Sequence, residues 1–314
     1  MAALEPKLEW LLPEEVFSVD GQPYFWRDVL VSAEVRGTLA ALISATRTAL
    51  AGAERSARSP EAVREAASQF RYRRGLLSAE ELETWLARWH LSVADWTEHL
   101  RRMLLSELGA AEPGRPAADN ELAKAAAVDA ICTGFLEREA KQLATDAALA
   151  ELGDSAVDDR RALVERIVAS AASARAALGA AADVDREIAT RALDWTRIDA
   201  ELLELADSEA AREAALCVRI DGRSLAEVAV DCGIPATRRE LYLEEAEEER
   251  LTALLGAKAG ELIGPIERNG SFVLVHVHGR TRPSADDPEL RRRAQEYLVE
   301  RASERAFETR VRWS

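Results

Sequence analysis

Cysteine and aromatic residues are scarce in this sequence, and it has fewer basic than acidic residues, 41 against 56. The three cysteines, Cys132, Cys217 and Cys232, are too few and too widely spaced for a disulfide framework, so we expect buried free thiols. Aromatic residues make up 5% of the chain and apolar residues 48%, a balance typical of alanine-rich packed helices. The formal net charge of -15 disfavours nucleic acid as a partner, because phosphate binding depends on lysine and arginine.

Long apolar runs and recognisable catalytic motifs are also missing. No run of about 18 apolar residues occurs, and the first residues lack a basic segment followed by an apolar core. We therefore expect a cytoplasmic protein without a membrane partner. The sequence has no glycine-rich phosphate loop, nucleophile elbow or zinc motif. It therefore predicts no cofactor, no metal and no catalytic residue.

The N-terminal part of the chain has the patterns of a helical domain. Asp20-Gly21 lies between two short apolar runs and predicts a hairpin over Glu15 to Phe25. Apolar residues then recur at helical spacing, which predicts one long helix from Trp26 to about Leu50. Ser78 and Ser92 each precede an acidic residue by three positions, a typical helix start.

Three tryptophans lie on the two helices that these serines begin. Trp85, Trp89 and Trp96 add large apolar side chains to helices of an aromatic-poor chain. Such side chains usually pack in a core, but a partly exposed cradle of them can bind another protein. Both interpretations, core packing and a binding cradle, stay open at this point.

Residues 195–282 contain a compact order of predicted elements. The hairpin across Asn269-Gly270 is the strongest local signal, because apolar runs flank a dipeptide that favours a tight turn. In order, the pattern predicts a strand over Arg197–Leu205, a helix from Ser208 to about Val218, a helix after Ser224, the segment Arg239–Tyr242, a short glutamate-rich helix, and the hairpin.

This order resembles a parvulin-type prolyl isomerase domain, with 222–229 and 260–266 as its most specific segments. The hairpin, long helix and capped helices upstream, and the helix after Pro288, resemble the SurA-type chaperones. The resemblance implies an α+β, mostly helical fold. We expect a helical domain over residues 1–192, an inserted parvulin-like domain over 193–283, and a C-terminal helix over 284–314 that packs back on the first domain.

The sequence departs from active parvulins at the positions that matter for catalysis. Members of that family have a histidine in the first strand, an acidic or thiol residue in the centre and a histidine in the last strand. These positions correspond to Glu201, Glu240 and Val273, so both histidines are replaced. The resemblance therefore implies a degenerate peptide-binding groove without isomerase activity, lined by Glu201, Glu240, Tyr242, Phe272 and Val273.

The function implied by this resemblance is binding of a peptide or an unfolded polypeptide client. The chain also resembles proteins of bacterial peptide-maturation systems, in which the client is a precursor peptide presented to a modifying enzyme. A strand edge beside Pro265 could accept such a peptide by β-addition. The glutamates between 240 and 249 either favour a basic client or form a solvated helix face.

Two alternatives remain besides a residual active isomerase. Residues 224–239 resemble a DNA-binding helix-turn-helix, with Gly233 in the turn and Arg238 and Arg239 facing the groove of the DNA. The glutamates that follow directly argue against it, because they would repel the DNA phosphates. His276 and His278 share one face of a strand and could contribute to a metal site. Two ligands are weak support, so the sequence favours an ordinary strand pair.

Overall fold

The computed structural model describes residues 4–53, 59–106, 118–151, 159–246 and 253–314. The chain forms two compact units, the first made of Met1–Ala176 and Arg301–Ser314 and the second of Ala177–Glu300. The fold is α+β and mostly helical with two small sheets, which confirms the predicted fold class. The domain boundaries predicted after residues 192 and 283 stay predictions.

The first unit is built mainly from short helices. Those that begin in it are α1 (Glu5–Leu8), α2 (Trp26–Val35), α3 (Thr38–Ala53), α4 (Pro60–Arg73), α5 (Ala79–Arg88), α6 (Val93–Ser106), α7 (Asp119–Cys132), α8 (Phe135–Leu149) and α9 (Arg160–Leu178). The serine caps are confirmed, since Ser78 Oγ accepts from the Glu81 amide at 3.1 Å and the Glu81 carboxylate accepts from the Ser78 amide at 2.8 Å.

Both ends of the chain meet in a three-stranded sheet of the first unit. The predicted hairpin is confirmed as β1 (Glu15–Val19) and β2 (Gln22–Phe25), with the turn at Asp20 and Gly21. The last strand of the chain, β7 (Val311–Trp313), pairs antiparallel with β1 and gives the order β2-β1-β7. Sequence reasoning missed this strand because three residues are too few for a periodic pattern.

Two stretches with helical periodicity are broken at glycines. The predicted helix from Trp26 to Leu50 is α2 followed by α3, because Gly37 adopts a φ of +77° that ends α2. The helical periodicity that begins at Ala123 is likewise divided between α7 and α8, with Gly134 at a φ of +70°. The proline- and glycine-containing segment 111–116, which predicts a loop, lies outside the described residues.

A buried polar network connects α3, α6 and α7. Asp129 accepts hydrogen bonds from His99 Nδ1 at 2.8 Å, Arg102 Nη2 at 2.6 Å and Thr46 Oγ1 at 2.9 Å. His99 and Arg102 are only 1% and 4% exposed. Burial alone would raise the pKa of Asp129, but the hydrogen bonds from His99 and Arg102 outweigh it and hold the pKa below its usual range.

The cysteines differ in their surroundings more than expected. All three are free, and Cys132 is buried, which raises the pKa of its thiol to about 12. Cys217 is half-buried and Cys232 is exposed, so the expectation of three buried thiols is wrong for Cys232.

The described part of the second unit follows the predicted order of helices and strands, and part of the predicted glutamate-rich helix, residues 247–252, lies outside the described residues. Its elements are α10 (Ala181–Thr190), β3 (Arg197–Leu205), α11 (Ser208–Arg219), α12 (Leu225–Cys232), β4 (Thr237–Tyr242), a 3₁₀ turn (Leu243–Glu245), β5 (Leu262–Arg268), β6 (Ser271–Thr281) and the start of α13 (Pro288–Arg310), whose residues from Arg301 onward belong to the first unit. The strands form an antiparallel sheet in the order β4-β3-β6-β5.

Alternation along the strands divides this sheet into two faces. Leu203, Leu205 and Leu274 pack with buried residues of α11 and α12. The residues that alternate with these along each strand, such as Val273 and Val275 of β6, point to the other face. Leu243, Leu254 and Ala257 cover part of the sheet there. The rest of that second face is the floor of the groove described below.

No single helix in the described ranges has the length and apolarity needed to cross a lipid bilayer. Two pairs of consecutive helices, α2 with α3 and α9 with α10, meet both criteria only when each pair is counted together, and each pair is bent at its break, by 84° and 57°.

Candidate functional site

A groove with an apolar floor and a charged rim lies on the sheet face away from α11 and α12. It consists of two adjoining concavities of about 270 Å³ and 340 Å³, both lined by Leu202, Arg239 and Arg268. The floor comes from Leu202, Leu241, Val273 and Val275, and the rim carries Glu204, Arg239, Glu240, Glu245 and Arg268.

The strand register explains why the floor residues come together. Leu202 of β3 is directly opposite Val275 of β6, and Glu204 is opposite Val273, so all four side chains point to one face. Glu204 also accepts a hydrogen bond from the Ser271 hydroxyl. On the other side, β4 is an edge strand, and its residues Thr237–Glu240 are exposed.

The predicted groove residues are only partly brought together. Val273 lies on the groove floor. Glu201 and Phe272 point to the opposite face, since Glu201 is paired with His276 and Phe272 packs with the residues around α11 and α12. The groove-facing residue of β3 at this level is Leu202. A shift of one residue in the register of a strand moves every side chain to the other face. The resemblance gave the strand but did not determine its register.

Glu240 and Tyr242 also differ from their predicted places. Glu240 borders the groove at its rim, and its carboxylate lies 3.6 Å from Arg197 Nη1. Tyr242 is a core residue, 8% exposed, in a cluster with Trp195 and Leu290. Burial, and secondarily the charge of Glu289, raise the pKa of Tyr242.

Part of the glutamate-rich segment is engaged within the chain. Glu244 forms an ion pair with Arg293 and accepts a hydrogen bond from Trp195 Nε1 at 3.2 Å. Glu245 lies 3.5 Å from the same guanidinium and accepts from the Tyr242 amide. These two glutamates therefore stabilise the fold, and the glutamates at 247–249 lie outside the described residues.

The structure contradicts the helix-turn-helix alternative. The proposed recognition helix is β4, an antiparallel partner of β3. Arg238 forms a bidentate pair with Asp199, at 2.9 Å and 2.6 Å, and this hydrogen bonding lowers the pKa of Asp199. The helix-turn-helix alternative is wrong although Gly233 and the arginines also fit a turn followed by a helix, because Thr237–Tyr242 pairs along β3.

A second polar cluster lies on the opposite face of the sheet, outside the groove. Donor atoms of Glu201, His276 and His278 all lie within 4.8 Å of one another. The sequence paired the two histidines but expected no metal site, because the third residue comes from the neighbouring strand β3.

The tryptophans of the first unit pack against other aromatic side chains. Trp89 and Trp96 are each 7% exposed, and Trp85 is half-buried. Phe70 makes edge contacts with Trp85 and Trp96 at ring-centre distances of 5.5 Å and 5.7 Å. These contacts fit the core-packing interpretation of the three tryptophans, and the binding cradle stays a prediction.

No protein-family model and no curated protein sequence matches this chain. Among solved structures, it is similar to PrsA from Bacillus subtilis, with 11% identity, a TM-score of 0.26, and coverage of 94% of this chain and 92% of that one. The foldase protein PrsA from Streptococcus pneumoniae gives 11% identity, a TM-score of 0.31, and coverage of 93% and 87%.

A third similar structure comes from a study of PEB4 and Cj1289, two SurA-like chaperones of Campylobacter jejuni. Its identity is 8% and its TM-score 0.21, with coverage of 96% of this chain and 98% of that one. Identities and TM-scores this low carry no argument about activity or partners.

Proposed function

We propose that the second unit binds an extended segment of polypeptide in the sheet groove and does not catalyse proline isomerisation. The observation that supports this most is the combination of an apolar floor with an exposed edge strand beside it. Main-chain groups of an edge strand can pair with an extended peptide, and a neighbouring groove can select its side chains.

The size of the groove fits single side chains of such a peptide. The two concavities, about 270 Å³ and 340 Å³, are near the lower limit for small-molecule pockets. The two concavities adjoin and share Leu202 in their floor, so an extended chain could place one side chain in each concavity. The rim carries both arginines and glutamates, which gives polar contacts to the main chain of the client.

The peptide is proposed to add to β4 rather than to the edge beside Pro265. On that edge, Arg219 Nη2 already donates to the carbonyl oxygens of Leu262 and Gly264, at 3.1 Å and 2.7 Å. These acceptors are therefore occupied. Residues Thr237–Glu240 of β4 are exposed and border the groove directly.

Substitution of Leu202 by glutamate is expected to weaken peptide binding at least tenfold, because a carboxylate would replace the apolar centre of the floor. Binding of an unfolded, fluorescently labelled polypeptide to the full chain measures this by anisotropy. The matched control is Val230→Glu on α12, where the side chain is 78% exposed. Equal affinity of both variants would contradict the proposal.

A second groove variant is needed because Leu202 also packs partly on the core, so that Leu202→Glu could reduce binding by unfolding the unit. Arg239 is exposed on β4, so Arg239→Glu leaves the core unchanged. We expect this variant to alter affinity and salt dependence of binding with an unchanged circular dichroism spectrum. If neither Arg239→Glu nor Leu202→Glu changed the affinity for the polypeptide, the groove would not be the binding site.

The full chain is expected to leave the isomerisation rate of a proline-containing tetrapeptide at its uncatalysed value. Rotation about the X-Pro bond has a barrier of about 18–20 kcal/mol, which a catalyst must lower by contacts specific to the twisted amide. No histidine is among the residues lining the groove. A protease-coupled assay measures the rate, and acceleration that disappears in Leu202→Glu would show a catalytic groove.

In its more specific form, the proposal is that the client is a precursor peptide, held in the cytoplasm for a modifying enzyme. This part is supported only by the sequence resemblance to peptide-maturation proteins. A gene for a short precursor peptide beside the gene of this chain would identify a peptide to use in the binding assay. Failure of that peptide to bind, with unfolded polypeptides still bound, would favour a general client.

A further inference from the structure

We propose that Glu201, His276 and His278 form a binding site for a divalent transition-metal ion such as Zn²⁺. The site lies on the sheet face opposite the groove and does not depend on peptide binding. Two imidazoles and a carboxylate are a donor set that zinc accepts readily, with a fourth position open to water or another ligand.

Strand alternation and pairing bring the three side chains together. His276 and His278 are two residues apart on β6, so they share a face, and His276 is paired with Glu201 of β3. β6 has one extra residue beside this pair, because Ala200 pairs with Val277 and Asp199 with Gly279. The two imidazole rings are perpendicular, with centres 4.7 Å apart.

The distances are close to those of a bound ion. Two ligands at about 2.0–2.2 Å from a tetrahedral ion lie about 3.4 Å apart. His278 Nε2 and Glu201 Oε2 are separated by 3.4 Å, and all three donors lie within 4.8 Å of one another. The side chain of His278 is 30% exposed and that of Glu201 15%, so an ion can reach the donor atoms from solvent. A small rotation of the side chains would bring all three donor atoms to coordination distance.

The neighbouring charges keep the carboxylate available for a cation. Arg238 stands directly opposite Glu201 in the β3–β4 ladder, but both Nε and Nη2 of Arg238 donate to Asp199. Glu240, opposite Asp199 in the ladder, lies 3.6 Å from Arg197 Nη1. Arg238 and Arg197 are therefore engaged with Asp199 and Glu240, and the carboxylate of Glu201 faces the two histidines and can attract a cation.

Calorimetric titration of the chelator-treated full chain with Zn²⁺ tests the site. We expect one ion per chain, bound in the micromolar range or tighter, and a rise of several degrees in the melting temperature. Each of Glu201→Gln, His276→Gln and His278→Gln is expected to weaken binding at least tenfold. Co²⁺ should give the visible absorption of a low-symmetry site in the wild type only.

Two controls separate this site from other ligands in the chain. His90→Gln, in the first unit where His90 stacks on Trp10, should keep full affinity. Cys217→Ser combined with Cys232→Ser should also keep it. Unchanged Zn²⁺ affinity in the double variant His276→Gln/His278→Gln, or no binding to the wild type at submillimolar Zn²⁺, would overturn the proposal. Matching circular dichroism spectra without metal exclude misfolding as the cause.

Discussion

Replacing Asp129 by alanine is expected to lower the free energy of unfolding by about 3–5 kcal/mol. The substitution removes the common acceptor of His99, Arg102 and Thr46 in the core of the first unit. Arg102 is 4% exposed, so its guanidinium would remain buried without its carboxylate. An unpaired buried charge costs far more than the pair contributes in net stability. Chemical denaturation followed by circular dichroism measures the change.

The pH dependence of this effect distinguishes lost charge pairing from lost packing. The folded-state pKa of Asp129 is lowered, so its contribution to stability is present above the unfolded pKa of about 3.9 and is lost as pH falls through the folded pKa. The difference between wild type and Asp129→Ala should therefore shrink below about pH 4. A difference that is constant from neutral to acidic pH would show that packing causes the loss.

The matched control for Asp129 is an exposed carboxylate of the same unit. Glu61 pairs with Arg64 at 2.7 Å, but both side chains are more than two-thirds exposed, at 71% and 74%. Exposed pairs contribute about 0–1 kcal/mol, so Glu61→Ala should change stability by no more than that. Similar losses in the two variants would contradict the role of burial.

Gly264→Ala is expected to destabilise the second unit by about 2–4 kcal/mol. Gly264 has a φ of +100°, where side chains are disfavoured. A Cβ at this position would also lie 2.5 Å from the carbonyl oxygen of Val273 and 3.1 Å from the amide nitrogen of Ile266. The Val273 oxygen belongs to β6, the partner strand of β5, so relief of that contact requires the two strands to move apart. Thermal and urea denaturation measure the loss.

Gly279→Ala provides the comparison within the same sheet. Gly279 lies in β6 without a positive φ, and no atom lies within 4 Å of a Cβ built there. Alanine should change the stability by about 1 kcal/mol or less, and in the stabilising direction if it only restricts the unfolded chain. If Gly264→Ala were as mild as Gly279→Ala, the close approach of β5 and β6 at this point would be refuted.

Local sequence patterns were sufficient to predict most helices and strands of the second unit. The strand Arg197–Leu205 and the hairpin at Asn269-Gly270 were predicted because alternation and an Asn-Gly turn act over a few residues. The caps at Ser78 and Ser92 were predictable for the same reason. Composition and helical periodicity predicted a mostly helical chain, and the resemblance to the SurA-type chaperones implied the α+β class.

Tertiary structure alone decided which side chains share a site. The resemblance to parvulins implied that Val273 and Glu201 face one groove, but the β3–β6 register places them on opposite faces and puts Leu202 on the floor. The same register adds Glu201 to His276 and His278. Pairing between strands that are some 70 residues apart depends on the packing of both faces at once, because a one-residue slip leaves every local pattern intact and exchanges the faces.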